Sequence, residues 1–263
     1  MYQNLKDRTA LITGSTSGIG LGIANHLASL GVNIAFNGFG EKSVVDQIVS
    51  DVKSNFRVDA KHFNADMSKP SDIESMMKDA ISHFGNIDIL VNNSGIQHVA
   101  PIEDFPSDKW ESIIRIDLVA SFYTTKAVIA NMKNKGWGRV INIASAHALV
   151  ASPFKSAYVA AKHGLLGMTK SVALEVAEFG VTVNAICPGY VKTPLVLGQV
   201  ADTAKARQMT EDEVIKNVIL GSQATKKFVE IEEIAHLAAF LCTKEAGSIT
   251  GAALPIDGGW TAH

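Results

Sequence analysis

Cysteine is almost missing from this chain: Cys187 and Cys242 are the only two, and they lie far apart. That excludes a disulfide scaffold and suits a reducing cytoplasm, with both thiols expected as buried, small apolar groups. No Cys and His cluster has zinc spacing, so no metal is expected. A surplus of charge is lacking too. Lys and Arg number 24 against 26 Asp and Glu, a formal net charge of −2, which gives no attraction to nucleic acid or to an anionic membrane. No apolar run approaches the ~20 residues of a membrane span. A strand pattern begins almost at the N-terminus, leaving no room for a signal peptide, and a cytoplasmic location is expected. No Pro/Gly/Ser-rich linker, repeat or low-complexity tract appears.

What is present is a regular alternation of strand and helix patterns in a chain that is 47% hydrophobic. The pattern predicts βαβαβ to about residue 64, a helix over 71–84 and a strand over 87–92. A long helix over 108–134, a strand over 139–144, a helix from about 158 to 179 and a strand over 181–186 follow. Residues 190–228 form a long excursion, and a helix over 231–242 and a strand over 253–256 complete the series. With no linker, residues 1–263 read as one domain.

Residues 9–14, Thr-Ala-Leu-Ile-Thr-Gly, are a short apolar run ending in glycine that reads as the first strand; Gly14, Gly18 and Gly20 follow, and beyond them Ile19, Ile23, Leu27 and Leu30 keep helical spacing. Strand, glycine turn and helix form the context for phosphate binding. Glycine lets the backbone approach a diphosphate, and the helix N-terminus offers unpaired N–H donors. A second motif, Tyr158 and Lys162, stands four apart, so in a helix both side chains rise from one face. A phenol ordinarily titrates near ~10. A unit charge at ~4 Å and an effective dielectric of ~20 is worth about 4 kcal/mol, roughly three pKa units before losses to solvent. An ammonium beside a tyrosine is thus expected to make it an acid or base for alcohol and ketone chemistry.

The spacing of the glycines, Asn92-Asn93-Ser94-Gly95 after a strand, then Ser145, Tyr158 with Lys162, and Pro188-Gly189, together resemble the short-chain dehydrogenase/reductase family over roughly residues 5–260. The resemblance implies an α/β fold, a single doubly wound, mainly parallel sheet of the Rossmann type. It implies that Ser145 hydrogen-bonds the substrate oxygen, Tyr158 is the acid/base, and Lys162 tunes Tyr158 and holds the nicotinamide ribose. It assigns cofactor contacts to Gly14, Ser17, Ile19, Phe39, Asp66, Asn93, Pro188, Val191 and Thr193, besides Tyr158 and Lys162. Asp66 also reads as a helix cap or loop carboxylate. Neither an acid nor a cation stands in Asn37-Gly38-Phe39-Gly40, where the second strand ends, and the missing cation favours NAD over NADP. The family usually has Asn where this chain has Asp117. A carboxylate there is expected to pair with Lys162, partly cancel its effect, raise the Tyr158 pKa and shift the activity optimum to higher pH.

Within the family, Gln97, His147, Lys155, Gln199 and Trp260 resemble the set that binds a small 3-hydroxy or 3-keto carboxylate, with the four polar groups on the carboxylate and Trp260 closing the pocket. Such an anion needs a cation and several donors to replace its water. The excursion at 190–228 is expected to hold helices and act as a lid, or to be a surface helical hairpin without a gating role. The resemblance also implies a homotetramer. Two alternatives stay open: an NADPH-dependent 3-oxoacyl-carrier-protein reductase, and a non-catalytic nucleotide-binding protein.

Overall fold

The computed structural model describes residues 2–262. Seven strands form one sheet, β1 (Thr9–Ile12), β2 (Asn33–Phe36), β3 (Ala60–His62), β4 (Ile89–Asn92), β5 (Gly138–Ile143), β6 (Val181–Pro188) and β7 (Ala253–Ile256), in the order β3-β2-β1-β4-β5-β6-β7. Every pairing is parallel. The chain winds outward from β1 to β3, then returns to place β4 on the other side of β1. The crevice at that reversal, beyond the carboxyl ends of β1 and β4, is where ligands bind in open α/β sheets.

Helices cover both faces, which is why the central strands are apolar without alternation. Ala10 and Ile12 of β1 turn to one face, where they join Ile23 and Leu27 of α1 (Gly18–Ser29) and Ile234 and Ala238 of the last helix, Ile231–Leu241. Leu11 turns to the other face and joins Ile73 and Met77 of α3 (Pro70–Phe84), Val128 and Met132 of α5 (Ala120–Lys135), and Ala173 and Val176 of α6 (Ser156–Val176). Helix α2 (Lys42–Phe56) adds Val52 to the first face.

The strands and most helices lie where the sequence places them. The long helix predicted over 108–134 forms over residues 107–135, with one wide turn inside it: α4 (Ser107–Ile114) passes through a π-helical turn over Arg115–Val119 into α5 while keeping helical backbone angles. A single wide turn is too short a signature for periodicity to reveal.

The 190–228 excursion contains helices α7 (Pro194–Gly198) and α8 (Val200–Arg207) and a helical stretch over residues 211–222. Its ends are joined: the Val229 amide donates to the Tyr190 carbonyl (2.9 Å), and Val191 bridges Val229. Tyr190, Val200, Ala204, Val214 and Ile219 give it a small core of its own. No helix of the described residues is long and apolar enough to cross a membrane.

Candidate active site

The glycine turn leaves β1 with Gly14 at φ 62°, in the left-handed region that glycine adopts without strain. Gly20, in the first turn of α1, lies so close to the Gly14 carbonyl and the Asn93 amide that a side chain there would overlap both. Asn93, just past β4, ties the turn down: its Nδ2 donates to the carbonyls of Thr13 and Gly14, each at 3.0 Å. At the end of β2 the Asn37 side chain is occupied as scaffold, donating to the carbonyls of Phe63 (3.2 Å) and Ala65 (3.3 Å). Phe39 is left 70% exposed.

From this turn a cleft of about 370 Å³ runs across the carboxyl ends of the strands. Its walls include Gly14, Ser17, Ile19, Phe39, Asn93, Pro188, Val191 and Thr193, and at the far end Asp117, Ser145, Tyr158 and Lys162. Asp66 stands outside these walls. Its carboxylate accepts from the Ser68 amide (2.9 Å) and hydroxyl (2.7 Å) and pairs with Lys69 (3.4 Å) ahead of α3. Leu195 and Val196 of α7 also line the cleft.

Tyr158 and Lys162 share a face of α6, with the ammonium 5.4 Å from the ring centre. Lys162 donates to the Ile143 carbonyl (3.1 Å) and pairs with Asp117 (3.4 Å). The other Asp117 oxygen accepts from the Ile96 amide (2.9 Å). Burial pushes Asp117 up to about 6 against the pull of Lys162. Burial also works against the Lys162 charge, yet Asp117 and Tyr158 hold its pKa above the usual lysine range. The Tyr158 ring is half-buried on the cleft wall with its hydroxyl deep among protein atoms, and its pKa lies above that of a free phenol. Burial outweighs the lowering by Lys162 that the sequence predicts, so the net shift is upward. Burial is the largest influence, Lys162 opposes it, and Asp117 adds to it, in the direction expected of a carboxylate at that position.

Beyond Tyr158 lies a second group of side chains. Ser145 Oγ accepts from the His147 amide (3.1 Å) and lies 3.4 Å from its Nδ1, while His147 Nε2 is 2.9 Å from the Ser152 hydroxyl. Burial, then the nearby charge of Lys155, pushes His147 down to about 3, so the imidazole is neutral at physiological pH. Its ring packs edge-on to Trp260 (4.9 Å) and Tyr158 (5.9 Å). Trp260 stacks on Tyr190 at 5.2 Å and 8°. Lys155, only 6% exposed, donates to the Tyr190 hydroxyl and to Gln199 Oε1, each at 3.3 Å. Burial, then Arg207, lowers its pKa to about 8. Gln97 follows Ile96 of the cleft wall, and its buried Nε2 has no hydrogen-bond partner among the described residues. His147, Lys155, Gln199 and Trp260 are thus brought together, and Tyr190, to which sequence reasoning gave no role, stands at their centre. Its position directly after Pro188-Gly189 was the one available signal.

A family model described as enoyl-(acyl carrier protein) reductase matches residues 14–261, and the chain belongs to the short-chain dehydrogenase/reductase family of oxidoreductases, which bind a nicotinamide cofactor. A D-beta-hydroxybutyrate dehydrogenase of Rhizobium meliloti is 56% identical over 256 residues, covering 97% of this chain and 99% of that protein. One of Cupriavidus necator is 51% identical over 259 residues, with 98% and 100% covered. Among solved structures, an actinorhodin polyketide ketoreductase variant crystallised with NADPH has a TM-score of 0.91 at 29% identity, covering 97% of this chain and 98% of that one. The cradle suits such a cofactor: a backbone with no side chain in the way, a helix N-terminus aimed at the turn, and a phenol at the far end of the cleft.

Proposed function

We propose that this enzyme interconverts (R)-3-hydroxybutyrate and acetoacetate with NAD. The observation that carries this reading is a buried ammonium, Lys155, with no carboxylate partner among the described residues, held close to the Ser145, Tyr158 and Lys162 group. An uncompensated buried cation is costly, and a small carboxylate substrate neutralises it. The unpartnered Gln97 amide supplies a further donor for that anion. Gln199 is already in contact with Lys155, neutral His147 offers a nitrogen, and Trp260 forms the flat wall for a four-carbon chain.

With the carboxylate on Lys155, the substrate C3 oxygen falls to Ser145 Oγ and the Tyr158 hydroxyl. In oxidation Tyr158, as phenolate, takes the hydroxyl proton, and in reduction it returns one to the ketone oxygen. The bound nicotinamide supplies the hydride acceptor or donor. Gly14, Ser17, Ile19, Phe39, Asn93, Pro188, Val191 and Thr193, which line the cleft, would hold the cofactor, and Lys162 would hold its nicotinamide ribose. Within the cleft, Asn37, Gly38 and Phe39 at the end of β2 supply no cation for a 2′-phosphate and no acid for two ribose hydroxyls, and the first lack favours NAD, although Lys42, Lys53 and Lys61 line the adjoining cavity beside Phe39. We take residues 1–263 as one nucleotide-binding unit, with 190–228 as a helical lid that moves on its own small core.

The test is a spectrophotometric assay of D- and L-3-hydroxybutyrate with NAD and with NADP. Turnover of the D form with NAD is expected. Reduction of an acetoacetyl thioester by NADPH with no oxidation of the free acid would overturn the reading in favour of an acyl-carrier reductase.

A further inference from the structure

Lys155 has a second cation behind it. Phe154, the residue before it, holds a left-handed backbone at φ 69°, and the Arg207 guanidinium from the end of α8 lies 5.8 Å from the Phe154 ring centre. Lys155, Tyr190, Gln199, Thr203 and Arg207 surround a cavity of only about 10 Å³. That is about the space of one water, so in this conformation the side of Lys155 toward Arg207 is filled by protein atoms. The polar groups facing Lys155 are Tyr190 from the loop after β6, Gln199 between α7 and α8, and Arg207, with neutral His147 and Tyr158 toward the cleft. No described carboxylate lies in this ring.

We propose that Arg207 is a positioning residue that repels the Lys155 ammonium from behind, so that seating a substrate carboxylate draws a proton from solvent onto Lys155. This rests on the assignment of Lys155 to the carboxylate. In the ligand-free site, burial and Arg207 both favour the neutral amine, which places its titration at about 8. A carboxylate in front reverses the balance, because an opposite charge favours the protonated form. Binding and proton uptake are then linked. Affinity for the carboxylate falls as pH rises through about 8, and Arg207 sets where that fall begins.

The experiment is calorimetric titration of the NAD-bound enzyme with butyrate, an unreactive carboxylate, at pH 8 in two buffers of different ionisation enthalpy. Wild type is expected to take up about half a proton per butyrate bound, given titration at about 8. Arg207→Gln is expected to take up clearly less, and Arg207→Lys to restore the uptake. In steady state, the alkaline rise of KM for 3-hydroxybutyrate begins at higher pH in Arg207→Gln. Butyrate binding without proton uptake in wild type, or equal uptake in Arg207→Gln, would overturn the proposal while leaving the carboxylate site intact. So would an Arg207→Gln defect of the same size at every pH, the mark of direct anion contact or a merely structural role. If butyrate does not bind and Lys155→Met leaves KM unchanged, the carboxylate assignment itself falls, and the role of Arg207 with it.

Discussion

Lys162 divides its ammonium between the Ile143 carbonyl, the Asp117 carboxylate and the ring of Tyr158. The phenol therefore receives only part of the positive charge nearby, and burial raises its pKa. Oxidation needs the phenolate, so its rate is expected to rise with pH toward that raised pKa. Reduction needs the phenol and is expected to hold its rate until the same pKa is passed. Asp117→Asn keeps an acceptor for the Ile96 amide but removes the negative charge that raises Tyr158. Its oxidation profile is expected to move to lower pH, and identical pH–rate profiles would reject the role given to Asp117. Lys155→Ala removes charge-assisted hydrogen bonds worth about 1.5–3 kcal/mol, so KM for 3-hydroxybutyrate is expected to rise about 10- to 100-fold with a smaller change in kcat. Steady-state kinetics at saturating NAD checks this. Cys187 and Cys242 are both free and fully buried, and burial pushes their thiols up to about 11 and about 12. Neither should react rapidly with a thiol reagent at pH 8 in the native protein, and both should react in denaturant.

At the scale of elements, the site depends on where strands end. The turn after β1 and the segment after β4 are joined through Asn93, whose two donated bonds bind them into one cradle. Asn93→Ala leaves two carbonyls without those donors and is expected to cost about 2 kcal/mol in urea unfolding. It should also weaken NAD binding in a fluorescence titration; unchanged affinity would show that the turn holds its shape unaided. The sequence placed β1, the glycines and α1 correctly because a buried parallel strand reads as a short apolar run and an amphipathic helix leaves a period of about 3.6 residues. It did not show the π-helical turn at Arg115–Val119, although that turn carries Asp117 beside Lys162. Nor did it choose between the two readings of Asp66, cofactor contact or loop carboxylate; the bonds to Ser68 and Lys69 are those of a loop carboxylate, and such local hydrogen bonds leave no period.

The whole molecule leaves apolar groups on the outside of α5 and α6: Phe122 is 49% exposed and Leu174 83%. These helices, together with the C-terminal strand β7, are the faces through which we propose a homotetramer, and light scattering is expected to give about 112 kDa, four chains of 28.0 kDa. A monomer mass would reject it. NAD at about 100 times its Kd is expected to add roughly 2.7 kcal/mol to stability through linkage, read as a rise of several degrees in the thermal midpoint.

By itself the sequence determined the order of strands and helices, the glycine turn, the Tyr158 and Lys162 pair and the family, because each is written in local spacing. Tertiary structure alone decided how burial weighs in the charge balance. It seated the expected Asp117 and Lys162 pair, raised Tyr158 chiefly by enclosure, and brought Tyr190 and Arg207 from distant segments to the Lys155 and Gln199 that the sequence had singled out. Electrostatic interactions depend on distance and on exclusion of water, and neither quantity exists along the chain until it folds.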